Sequence, residues 1–118
     1  MSRCYRIQLT VNRFKPARKT AIQRACSGTW DFTPDCFEWN ETELTAESEG
    51  YLTGGMLENE FAGILAQAIW KANRGFCDVT VGTTYLDAPP AETFHLGQSQ
   101  YRAWAKEGRA SLRAGLSG

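Results

Sequence analysis

Five glutamates between positions 38 and 49 are the residues in this chain with the greatest capacity for chemistry. They are Glu38, Glu41, Glu43, Glu47 and Glu49. Carboxylates at this density can act in pairs as general acid and base, or can present an array of negative charge to a basic partner. Because alternating glutamates along a strand are the usual pattern of an exposed polar face, the sequence favours the array over acid–base catalysis.

The glutamates belong to a chain with segregated charge. Positions 1–30 contain seven basic residues and no acidic residue, whereas positions 31–60 contain nine acidic residues and no basic residue. The formal net charge is zero. The two segments therefore either neutralise each other inside the molecule, for example by pairing Arg6 with Glu47 and Glu49 across strands, or offer a charged surface to a ligand.

Other catalytic or metal-binding patterns are absent from the sequence. The single histidine, His95, has no serine or cysteine at a recognisable motif spacing, and the four cysteines include no C-x-x-C pair. A zinc site needs closely spaced ligands of these types. We therefore predict no catalytic residue, no metal and no cofactor. The cysteines are interpreted as reduced structural thiols, since the N-terminus lacks the pattern of an export signal.

Periodicity predicts the elements that position these residues. Strands are predicted over 5–11, 36–40, 44–52 and 76–86, and helices over 16–29 and 57–73. This order is that of a ferredoxin-like α+β domain, in which two helices cover one face of a four-stranded antiparallel sheet with the first and third strands at its centre. We assign the domain to residues 3–90. Residues 91–118 are predicted to be a C-terminal extension that packs on the domain and frays at its end.

The second predicted helix carries two apolar features. Phe61, Leu65 and Ile69 belong to one apolar stripe with Ile64, and the stripe is expected to pack against Ile7, Leu9 and Val81 of the sheet. Trp70 lies about half a turn away and is expected to face away from the sheet. Its cover is either the C-terminal extension, which the sequence favours, or a protein partner.

The first predicted helix supplies an alternative binding surface. Arg18, Lys19 and Arg24 lie on its exposed side, and such a basic face can contact nucleic acid. A solvated helix face explains the same pattern. Binding of RNA to the open sheet face is disfavoured, because that face carries polar and acidic residues where RNA-binding sheets carry aromatic ones.

Several short segments of the chain carry a resemblance. They are Cys4-Tyr5-Arg6-Ile7, Thr29-Trp30-Asp31-Phe32, Gly54-Gly55 with Glu60-Phe61-Ala62, Ala68-Ile69-Trp70-Lys71-Ala72-Asn73 and Thr83-Thr84-Tyr85-Leu86. Through these segments, residues 4–87 resemble a group of short uncharacterised proteins of bacterial, phage and prophage genomes. The resemblance implies an accessory protein that binds and blocks a host machine, as anti-CRISPR and anti-restriction proteins do.

We therefore expect a cytoplasmic, non-enzymatic protein-binding domain. Its predicted recognition surface is the acidic hairpin, residues 37–52 with the five glutamates, which imitates nucleic-acid phosphates and occupies a basic channel of a nucleic-acid-handling protein. The alternatives are nucleic-acid binding through Arg18, Lys19 and Arg24, docking of a partner on Trp70, and a small-ligand or enzyme domain without a recognisable motif. No membrane contact is expected, because the longest apolar stretch is far too short to span a bilayer.

Overall fold

The computed structural model describes residues 3–30, 32–52, 56–86 and 91–106. Within these ranges the strands are β1 (Arg3–Asn12), β2 (Phe37–Trp39), β3 (Glu43–Leu52), β4 (Asp78–Tyr85) and β5 (Glu92–Leu96). The helices are α1 (Lys19–Thr29), which follows a 3-10 turn at Pro16–Arg18, α2 (Glu58–Asn73) and α3, described over 98–106. None of the described helices has the length and apolarity needed to cross a membrane.

The strands form one antiparallel sheet in the order β2-β3-β1-β4-β5. An α+β architecture was predicted and is confirmed, but the expected four-stranded sheet is wrong, because β5 pairs with β4 along its whole length. The sequence indicated only an extended stretch there. The stretch contains only two apolar residues, Phe94 and Leu96, and the local pattern does not specify its pairing with β4. The predicted fraying concerns residues 107–118, which lie outside the described residues.

The core lies between the sheet and the helices. Alternation along β1 buries Tyr5, Ile7, Leu9 and Val11 on the helix side. All six residues predicted to share the core are buried there; they are Ile7, Leu9, Phe61, Leu65, Ile69 and Val81. This cluster fixes the sheet beneath the helices and leaves its other face uncovered by them.

The buried arc of α2 differs from the predicted stripe. Ile64 was placed in the stripe but is 44% exposed, whereas Ala66 and Trp70 are buried. The arc is rotated because α3 covers the side of α2 that carries Trp70. The centre of the Trp70 ring lies 5.3 Å from the ring centre of Tyr101 and 5.6 Å from that of Trp104. Trp70 therefore does not face solvent, and the C-terminal extension supplies its cover.

The end of α2 provides a test of backbone strain. Arg74 caps the helix in the left-handed conformation, with φ of 58°, which glycine adopts without the steric cost that a side chain brings. We expect Arg74→Gly to raise the free energy of unfolding by about 0.5–1 kcal/mol. Lys71→Gly, in the last turn of the same helix, should instead lower it by about 1 kcal/mol. Urea unfolding checks both, and equal losses in the two variants would contradict this explanation of the helix end.

Candidate functional site

The candidate site lies on the face of the sheet opposite the helices, which we call the open face. The register places Glu47 beside Gln8, Glu49 beside Arg6 and Glu43 beside Asn12 on β1. Glu38 of β2 lies beside Thr45 of β3. Because these residues alternate with the buried ones along each strand, Glu38, Glu43, Glu47 and Glu49 share the open face. Glu41 lies in the turn between β2 and β3.

One basic residue of the open face pairs with part of this array. Arg6 Nε lies 3.4 Å from Glu47 Oε1, and Arg6 Nη2 lies 3.6 Å from Glu49 Oε2. The expected cross-strand pairing is therefore present. All three side chains are about half exposed, so each pair contributes little to stability. One arginine meets two carboxylates, and this part of the face stays negative.

The remaining glutamates are available to solvent. Glu38 and Glu41 are exposed and Glu43 is half-buried. None of the three forms an ion pair with any residue of the described ranges. The open face thus carries more negative charge than its own cations neutralise, which is the property that attracts a basic partner.

A second charged group lies at the end of the sheet where β1 finishes. Asp78 Oδ2 is 3.4 Å from Arg13 Nε, and Asp78 Oδ1 is 3.4 Å from His95 Nε2. Sequence reasoning did not identify Asp78 as a site residue. The sequence does place Asp78 at the start of an alternating strand. Its contact with Arg13 and His95, however, depends on the register of β4 with β1 and β5.

The basic residues of the first helix are placed differently from the prediction. Arg18 lies in the 3-10 turn before α1, and its Nε donates a hydrogen bond to the Ala72 carbonyl at 2.9 Å. Lys19 Nζ lies 5.5 Å from the centre of the Trp39 ring. Arg18 and Lys19 are half-buried, and Arg24 alone of the predicted trio is exposed. The expectation that all three form an exposed face of one helix is therefore wrong.

Arg18 is not fully exposed because it contacts the carboxyl end of α2. The last carbonyl groups of a helix lack partners within it and carry partial negative charge, so cations stabilise them. Arg18 binds the Ala72 carbonyl, and Lys15 Nζ donates to the Arg74 carbonyl at 2.9 Å. These two cations therefore serve the packing of the β1–α1 connection against α2.

Burial suppresses the reactivity of two of the four cysteines. Cys4, Cys26, Cys36 and Cys77 are all free thiols. Burial raises the pKa of Cys26 to about 12, with a further contribution from nearby Cys77. Burial, followed by the charge of Asp78, raises the pKa of Cys77 to about 12. Because the thiolate is the nucleophile, both groups stay protonated and unreactive at neutral pH.

The described residues offer no metal centre, since no group of three or more histidine, cysteine, aspartate or glutamate side chains among them is arranged to hold an ion. The open face does contain a shallow cavity of about 310 Å³, bordered by Gln8, Thr10, Glu38, Thr45 and Glu47. Its polar lining suits contact with a charged or hydrogen-bonding surface.

Comparison with known proteins adds no relative: no protein-family model, curated protein or solved structure matches this chain.

Proposed function

We propose that this protein is a non-enzymatic binding domain whose acidic hairpin contacts a basic surface of a nucleic-acid-handling protein. The observation that carries the proposal is the register of β2, β3 and β1, which gathers Glu38, Glu43, Glu47 and Glu49 on one uncovered face. A rigid array of carboxylates matches the electrostatic potential of a channel that binds phosphates. The domain then acts by occupying that channel.

The placement of the cations favours a protein partner over nucleic acid. Lys15 and Arg18 bind carbonyl groups at the end of α2, and Lys19 lies over Trp39. Carboxylates on the open face repel phosphates, so a nucleic acid would have to avoid the face of the sheet that the described helices leave uncovered. Direct nucleic-acid binding through Arg18, Lys19 and Arg24 is accordingly the second candidate.

We also assign the first four strands and two helices to a ferredoxin-like core. The element order β1-α1-β2-β3-α2-β4 and the strand order β2-β3-β1-β4 support this assignment. In this assignment β5 and α3 extend the core at the β4 edge. The extension leaves the acidic hairpin at the opposite edge of the sheet, where a partner can reach it.

The biological setting we propose follows the resemblance to short phage and prophage proteins. A small protein of that kind acts as an inhibitor of a host machine, in the manner of anti-CRISPR or anti-restriction proteins. In the cytoplasm, four free thiols remain reduced. The enzyme alternative is less favoured as far as the buried thiols are concerned, because Cys26 and Cys77 are protonated at neutral pH.

Affinity capture from host lysate tests the proposal. Tagged wild-type protein is expected to retain a basic protein after nuclease treatment, and replacement of the five glutamates by glutamine is expected to reduce its recovery by about tenfold or more. The replaced side chains are exposed or half-buried, so the free energy of unfolding should change by less than about 1 kcal/mol.

A matched control removes charge elsewhere. Glu60→Gln with Glu92→Gln changes two exposed carboxylates outside the acidic hairpin and should leave recovery unchanged. Recovery that depends on nucleic acid, and is lost when Arg18, Lys19 and Arg24 are replaced by alanine, would favour the second candidate. Equal recovery by the wild type and the five-glutamine variant would refute the acidic hairpin as the binding surface.

A further inference from the structure

A cavity of about 600 Å³ opens at the end of the sheet, beside the tip of the acidic hairpin. One side is formed by the segment that follows β1, with Arg13, Phe14 and Pro16. The other is formed by the hairpin turn, with Glu41 and Thr42. Asn12 and Asp78, which are neighbours across β1 and β4, complete the lining. Its volume is within the range of sites that bind small molecules or single side chains.

The two carboxylates that line this cavity, Asp78 and Glu41, differ in whether they have a partner of opposite charge. Asp78 pairs with Arg13 and with His95, each at 3.4 Å. The Glu41 carboxylate has neither an ion pair nor a hydrogen bond among the described residues. The backbone N–H of Glu41 donates a hydrogen bond to Asn40 Oδ1 at 2.8 Å. The cavity therefore has an unneutralised negative charge at its hairpin side, and it selects a cation.

The rest of the lining defines which cation. The Asn12 amide and the Thr42 hydroxyl, which line the same cavity as Glu41, supply further oxygen acceptors. Phe14 and Pro16 supply an apolar wall, and Phe14 is fixed by an edge contact with Trp39, their ring centres being 5.3 Å apart. A planar cation with several N–H donors and an aliphatic stem fits this combination.

We propose that this cavity receives an arginine side chain of the protein partner. The inference rests on the proposed function, since it names the anchor that the acidic hairpin recognises. The guanidinium binds Glu41 through two parallel hydrogen bonds and shares its other donors with Asn12 and Thr42, while the stem packs on Phe14 and Pro16. Lysine has a single point of charge and cannot make the same set of bonds.

A titration of ¹⁵N-labelled protein followed by NMR tests the cavity directly. N-acetyl-arginine amide is expected to shift the backbone amides of 12–14, 41–42 and 78 and to saturate with a dissociation constant on the order of 1 mM, given its size. N-acetyl-lysine amide should have a dissociation constant at least about threefold higher, because it lacks the planar guanidinium group.

Two variants locate the interaction. Glu41→Gln should weaken binding of the arginine compound by about fivefold or more. Glu60→Gln is the control, because Glu60 is an exposed carboxylate outside the acidic hairpin and does not line the cavity. The dissociation constant of this variant for the arginine compound should stay within a factor of about two. Unchanged shifts elsewhere in each spectrum verify that the variant is folded.

Three results would overturn the arginine site: no saturable shift at the cavity, equal affinity for the arginine and lysine compounds, or equal weakening by the two variants. These results are distinguishable from failure of the proposed function. If the cavity fails but the five-glutamine variant still loses the captured partner, the acidic hairpin remains the binding surface and the arginine anchor is wrong. If that variant keeps the partner, the proposed function itself is wrong.

Discussion

Replacing Trp70 by alanine is expected to lower the free energy of unfolding by about 3–5 kcal/mol. The side chain is 3% exposed and packs against the rings of Tyr101 and Trp104. Its Nε1 also donates a hydrogen bond to the Cys77 carbonyl at 2.8 Å. Alanine removes the packed ring, leaves a cavity under α3 and leaves that carbonyl without its donor, so three separate losses add to the effect.

Trp70→Phe separates these contributions. Phenylalanine keeps much of the apolar volume but has no N–H group, so the expected loss is about 1–2 kcal/mol. Urea unfolding of the two variants measures the difference. A loss below about 1 kcal/mol for Trp70→Ala would mean that α3 does not depend on Trp70 for its packing.

Replacing Asn73 by alanine is expected to lower the free energy of unfolding by about 2–4 kcal/mol. Asn73 is fully buried at the end of α2. Its Oδ1 accepts a hydrogen bond from the Lys15 backbone N–H at 2.8 Å, and its Nδ2 donates to the Gly75 and Phe76 carbonyls at 3.0 and 3.2 Å. One amide therefore joins the β1–α1 connection to the segment that leads into β4.

Asn73→Asp is the informative companion variant. It preserves the shape and the acceptor for Lys15, but it replaces a donor with an anionic oxygen that faces two carbonyl oxygens. At neutral pH it should be at least as destabilising as alanine, because the buried carboxylate keeps a single donor, the Lys15 N–H, while its second oxygen is repelled by the Gly75 and Phe76 carbonyl oxygens. If the aspartate variant were as stable as the wild type, the assigned amide orientation and its hydrogen bonds would be wrong.

The sequence was sufficient for the long elements. Alternation over Arg3–Asn12 and helical spacing over Glu58–Asn73 each extend across many residues, so their periods were unambiguous and most of the core followed from them. Strand β5 was missed because its only apolar residues are Phe94 and Leu96 and because its place in the sheet depends on pairing with β4. The exposure of Ile64 was missed because the buried arc of α2 depends on α3, and that contact joins residues far apart in the chain.

Part of the candidate site could also be predicted from the alternation of residues along the strands. Parity along the predicted strands assigned Glu47 and Glu49 to the side that carries Arg6, and their pairing followed from the strand order. The roles of Lys15 and Arg18 could not be predicted, because they depend on the end of α2 meeting the β1–α1 connection. The cavity beside Glu41 was missed, since it requires the register of three strands and the course of a loop.

The most direct test of the acidic hairpin is the association rate of the captured partner as a function of salt. Stopped-flow or surface-based kinetics would compare the wild type, the five-glutamine variant and the Glu60→Gln, Glu92→Gln control. We expect association of the wild type and the control to slow as salt increases, and association of the five-glutamine variant to be about tenfold slower at low salt and nearly independent of salt.

A different result would contradict binding through the acidic hairpin. Leu57 and Ile64 are exposed apolar residues, at 51% and 44%, outside the acidic hairpin. If association is independent of salt and unaffected by the five glutamine replacements, but is lost in a folded Leu57→Ser, Ile64→Ser variant, the partner binds an apolar surface and the acidic hairpin is not its site.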